Sequence, residues 1–87
     1  MLTEEQRETI EEVLYGAHLA VDQYLNKPRP MYEKLLKISV NEALGVMETL
    51  KAELADDPKF DGYKLHLFVP LQLHHLLEMR KEKENAE

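Results

Sequence analysis

Two of the four histidines in this 87-residue chain have a carboxylate one helical turn away: His18 with Asp22, and His74 with Glu78. Residues four apart share a helix face, so each pair can offer an imidazole nitrogen and a carboxylate oxygen to one cation. If two helices brought the pairs together, His18, Asp22, His74 and Glu78 would supply the four ligands of a metal site. A di-iron carboxylate centre fits less well, because it draws on Glu-x-x-His repeats and the chain has none. His75 points about 100° away from His74, so a regular helix does not give both to one ion. His66, two residues after Lys64, reads as a core-edge histidine donating to a backbone carbonyl, or as a pH-sensitive interface contact.

Other chemistry is thinly represented. There is no cysteine, hence no thiolate for zinc or for attack. Ser39 is the sole serine and lies in no nucleophile elbow. Gly16, Gly45 and Gly62 are isolated, which excludes a glycine-rich phosphate loop. A chorismate-mutase-like bundle would need several inward cations for a dicarboxylate, whereas Arg7, Arg29 and Arg80 all fall near element ends. Glu5/Glu8, Glu8/Glu11 and Glu53/Asp56 have the Glu-x-x-Glu and Glu-x-x-Asp spacings that hold magnesium in MazG-like pyrophosphatases. That likeness implies a small metal-dependent hydrolase, but the two motifs lie much further apart here than that family places them. The expectation is no enzyme and no cofactor, with metal binding as the alternative.

Seventeen acidic against eleven basic residues give a net charge of −6, which repels nucleic acid and anionic membranes. Lys27, Arg29, Lys34 and Lys37 form the one basic concentration, too small to reverse that expectation. No run approaches the roughly 20 apolar residues of a membrane span, and Met1-Leu2-Thr3-Glu4-Glu5 lacks the pattern of a signal peptide. A cytoplasmic location is expected.

The elements that must position these residues are helices. Thr3 with Gln6 is a capping-box pattern, and Ile10, Leu14, Ala17, Val21 and Tyr24 step by four and three until Asn26-Lys27-Pro28-Arg29-Pro30. Helix 1 is therefore expected over about 3–26. Pro30 suits a first helical turn, and Leu36, Val40, Ala43, Met47, Leu50 and Leu54 form a seam that predicts helix 2 over about 30–56, before Asp57-Pro58. Gly45, off the seam, is either a close approach of another backbone or simple tolerance. Helix 3 is expected over about 61–83, bent or broken near Pro70, with Leu65, Val69, Leu73, Leu76, Leu77 and the stem of Arg80 facing inward. Residues 84–87 should fray. The fold class is all-α: one domain, an up-down-up three-helix bundle with a kinked or broken third helix.

Each helix carries apolar residues that one seam cannot explain. Met31, Leu35 and Ile38 lie off the helix 2 seam, as do Tyr15 and Leu19 on helix 1, and Leu67, Phe68 and Leu71 on helix 3. A chain this small buries only about 60–65% of its unfolded surface, and it has no disulfide to compensate. Self-association is the simplest cover for the surplus. The sequence thus predicts a protein–protein interaction module, a homo-oligomer with a dimer favoured, with adapting or inhibiting a larger protein partner as the further role it allows. Its expected contact residues are Met31, Leu35, Ile38, Tyr15, Leu19, Leu67, Phe68 and Leu71.

Overall fold

The computed structural model describes residues 1–85, with side chains through Lys83. All of its regular structure is helical: α1 (Glu4–Asn26), α2 (Pro30–Thr49), α3 (Lys51–Ala55) and α4 (Phe60–Asn85). No helix among the described residues is long and apolar enough to cross a membrane.

The start of α1 is fixed by both capping-box hydrogen bonds. The Gln6 amide donates to Thr3 Oγ1 at 3.1 Å, and the Thr3 amide donates to Gln6 Oε1 at 2.9 Å. Two of the orphan amides at the helix end are thereby satisfied. Pro30 opens α2, where its missing N–H costs nothing.

The expected continuous second helix is interrupted. Leu50 has φ −100° and ψ 17°, and a separate five-residue helix follows it. The Thr49 hydroxyl donates to the Gly45 carbonyl at 2.8 Å, a back-bond to residue i−4 of the kind that bends helices. Gly45 itself is mere tolerance, since a Cβ there would meet nothing within 4 Å. Beyond the interruption Leu54 is buried in the core and Asp57 lies beneath the start of α1.

The third long helix differs from expectation in the opposite sense. It runs without interruption through Pro70 and two residues past Lys83, to Asn85. Of the frayed tail expected for 84–87, residues 84 and 85 belong to the helix, and the last two lie outside the described residues. The inward face is also different. Tyr63, Leu67, Pro70 and Leu77 are buried, while Leu65, Val69 and Leu76 are exposed.

Each of α1, α2 and α4 packs on the other two, and the core lies in two clusters along their length. Leu2, Ile10, Leu14, Ala43, Leu54, Tyr63 and Leu67 fill one end; Ala20, Val21, Leu36, Val40 and Leu77 fill the other. The first end carries most of the acidic residues and the second most of the basic ones. The molecule is elongated, with extents of 47 × 24 × 17 Å.

Candidate interaction surface

Pro70 is fully buried inside α4. A proline has no N–H, so the carbonyl four residues earlier, that of His66, loses its helical donor. The His18 ring supplies a replacement from α1: Nε2 lies 2.6 Å from the His66 oxygen. A carbonyl has no proton to give, so Nε2 must be the donor. The two imidazoles meet edge to face with centroids 5.7 Å apart. The helix thus survives its proline because a side chain on a neighbouring helix satisfies the freed oxygen. It is His18 that donates to a carbonyl, and His66, exposed, that offers one.

His18 is thereby engaged away from the expected metal set. His74 and Glu78 do approach, with Nε2 and Oε1 3.5 Å apart, although His74 Nε2 is shielded and makes no hydrogen bond. Among the described residues, no three histidine, aspartate or glutamate side chains gather as metal ligands would. His18 and Asp22 are not brought to His74 and Glu78, and the Glu5, Glu8, Glu11 set does not meet Glu53 and Asp56.

The surplus apolar residues divide into two groups. Leu67 is buried in the acidic-end cluster and Leu71 packs against the basic-end cluster, so both leave the expected contact set. They sit on the side of α4 that faces α1 and α2. The remaining six, Tyr15, Leu19, Met31, Leu35, Ile38 and Phe68, are exposed. The residues wrongly placed inside join them, and α4 presents Leu65, Phe68, Val69, Leu76 and Met79, each more than half exposed. At 100° per residue these five centre almost opposite Tyr63, Leu67, Pro70 and Leu77. That helix is apolar on two opposed faces, and only one is covered by the chain itself.

Tyr15 forms the rim of a cleft of about 400 Å³ between α1 and α4, with Leu14, Tyr63, His18, His66 and Glu11 around it. The Tyr63 hydroxyl is shielded from solvent without a partner at hydrogen-bonding geometry. Burial, then the Glu11 carboxylate, pushes its phenol above the ordinary 10.0, with Arg7 opposing. Its inner polar atoms are thus shielded or already engaged.

One polar cluster escaped the sequence reading. Asp57 is buried, its side chain fully shielded, and its carboxylate accepts four hydrogen bonds. Two come from the Arg7 guanidinium, Nη1 to Oδ1 at 3.1 Å and Nη2 to Oδ2 at 2.7 Å. The others come from the amides of Lys59 at 2.9 Å and Leu2 at 3.3 Å. Burial acts to raise the carboxyl pKa; the Lys59 and Leu2 amides and the Arg7 charge outweigh it and hold the group below the ordinary 3.8. The available signal was Asp57-Pro58 opening a helix and Arg7 standing alone among acids. What the arrangement does is mechanical: it ties the start of α1 to the turn before α4. No protein-family model, curated protein or solved structure matches the chain.

Proposed function

We propose that this chain is a non-enzymatic helical interaction module that works as a homo-oligomer, in its simplest form a dimer. The observation that carries the reading is the apolar surface left over once both core clusters are filled: Tyr15 and Leu19 on α1, Met31, Leu35 and Ile38 on α2, and the outer face of α4. Single exposed apolar residues need no explanation, but aligned ones on consecutive turns of a helix mark contact surfaces. The polar groups nearest the core support the same reading. Asp57 is consumed by four structural donors and His18 by the Pro70-freed carbonyl. In this reading α1, α2 and α4 are the three rods of an up-down-up bundle, and α3 carries Asp57 to the end of α1.

Light scattering behind size exclusion tests it. The expected mass is twice the 10.2 kDa of the chain. A clean monomer at high micromolar concentration, with no binding of an apolar dye, would overturn it.

A further inference from the structure

The cleft of about 400 Å³ between α1 and α4 is walled largely by rings: Tyr15 and His18 from one helix, Tyr63 and His66 from the other, with Leu14 and Glu11 completing it. The spacing explains the convergence. On α1, residues 11, 14, 15 and 18 fall within about 100° of one another around the helix axis, and on α4 residues 63 and 66 within about 60°. Two packed helices therefore bring four aromatic side chains to one seam, with Tyr15 largely exposed and Tyr63 buried.

The inner oxygens of the cleft are spent. The His66 carbonyl takes His18 Nε2 at 2.6 Å, and the Tyr63 hydroxyl is shielded. What remains on offer is ring surface and the Glu11 carboxylate. Ring faces are negative and attract cations. The chain makes that contact elsewhere, with Lys64 Nζ 4.5 Å from the centroid of the Phe60 ring.

The charges around the cleft favour a ligand of the same sign. Arg7 is bidentate on Asp57, and Lys64 is paired with Asp61 at 3.4 Å, so each of these couples sums to zero. Left over are Glu8, Glu11, Glu12 and Asp22 on α1 against Lys59 before α4. Glu8, Glu11 and Glu12 also line a second hollow beside Tyr15. After burial, the Glu11 carboxylate is the next cause raising the Tyr63 phenol above the ordinary 10.0, so its field reaches into the cleft.

We propose that this cleft binds a small organic cation of the quaternary ammonium class, with its methyl groups against the Tyr15 and Tyr63 rings and its charge facing Glu11. A primary ammonium has three N–H donors to satisfy, and the spent inner oxygens do not accept them. A quaternary nitrogen has no N–H, and its charge lies on methyl groups that suit ring faces. The volume, near the lower end for ligand pockets, suits a compact ion. The proposal goes beyond self-association and does not rest on it.

Choline, titrated into the full chain and followed by proton NMR, is the probe. Its methyl resonance should move upfield under the ring currents and saturate by about 10 mM, as a few partly solvated cation–π contacts allow. The neutral analogue, with a tert-butyl group in place of trimethylammonium, should bind about fivefold more weakly. Glu11→Gln and Tyr15→Leu change exposed side chains outside both core clusters, so each should weaken choline several-fold at unchanged helix content. Glu48→Gln, an exposed carboxylate on α2 away from the cleft, should leave it unchanged. No saturation, equal binding of the neutral analogue, or an equal loss in Glu48→Gln would overturn the proposal. Flotation with phosphatidylcholine vesicles without saturation by free choline would place the cation in a lipid headgroup and overturn the free ligand. Light scattering on the same samples reports self-association separately, so either reading can fail alone.

Discussion

The two ends of this bundle are closed by different means. At the basic end, α1 and α2 are joined through Lys27, Pro28 and Arg29, and the end of α4 is held laterally by an ion pair between exposed Lys81 and half-buried Glu33, at 2.9 Å. At the acidic end, the connected helices are α2, α3 and α4, and the start of α1 is tied to them by buried Asp57. A short proline-rich connection already restricts how α1 and α2 can separate. Where no short connection joins the helices, a shielded carboxylate with four donors does the equivalent work. Leaving such a group with fewer partners is costly in a way that losing a solvated ion pair is not. The difference teaches that buried polarity here serves chain closure, and it predicts that the ends respond unequally to perturbation.

The largest effects should come from the two core clusters. Leu36 and Leu54 are essentially inaccessible, and truncating either to alanine should cost about 2–5 kcal/mol through lost transfer energy and a residual cavity. Denaturant unfolding would give the totals. Hydrogen exchange would tell whether the ends are separable: Leu36→Ala should speed exchange chiefly over 20–40 and 71–83, and Leu54→Ala at the acidic end. Equal acceleration along the whole chain in both variants would make the bundle one cooperative unit and break the comparison.

The next effect is specific to the acidic end. The Asp57 carboxyl is held below its unfolded value by the Lys59, Leu2 and Arg7 contacts in spite of burial. A depressed carboxylate contributes stability that is present above the unfolded pKa and lost as pH falls through the folded one. Wild-type melting temperature should therefore exceed that of Asp57→Asn near neutrality by on the order of 10 °C. The gap should shrink as pH drops below about 4, the ordinary carboxylate range. A constant gap across that range would show that Asp57 acts through shape and not through charge.

How much of this could be read from the sequence depends on the sequence distance of each contact. The caps of α1 and α2 are local, and Thr3, Gln6 and Pro30 announce them. The seams of α1 and α2 are legible because each has one dominant apolar face, with Ile10, Leu14, Ala17 and Val21 buried in one and Leu36, Val40 and Ala43 in the other. Helix α4 defeats periodicity because both faces are apolar. With Leu65, Val69 and Leu76 opposite Leu67 and Leu77, only the neighbours decide which face turns in. Pro70 looks like a breaker because its remedy, His18, lies 48 residues from the carbonyl it satisfies. Asp57 looks like a helix stop because Arg7 is 50 residues away. Neither partnership leaves a local pattern.

A smaller effect of opposite sign sharpens the account of the α2–α3 bend. With space around Gly45 and an ordinary helical conformation there, Gly45→Ala should stabilise the protein by up to about 1 kcal/mol, by removing conformational freedom from the unfolded chain. Thermal melts would show it. Destabilisation would mean that the bend at Leu50 depends on the glycine as well as on the Thr49 back-bond.

The smallest effect belongs to the basic end. The Glu33 carboxylate beside Lys81, by hydrogen bond and charge, raises the ammonium pKa, so the Lys81 contribution is present below the ordinary lysine pKa and lost as pH rises through the raised one. Across the neutral range Lys81 stays charged, and pH should not distinguish wild type from Glu33→Gln. Salt should. A pair whose lysine stands in solvent is screened at high ionic strength, so any deficit of Glu33→Gln in melting temperature should be slight in dilute buffer and vanish by about 1 M salt. The deficit of Asp57→Asn, shielded from solvent, should persist there. If Glu33→Gln instead costs as much as Asp57→Asn and keeps that cost in salt, the far end of α4 is held as firmly as the start of α1, and the distinction between a buried closure and a solvated one fails for this molecule.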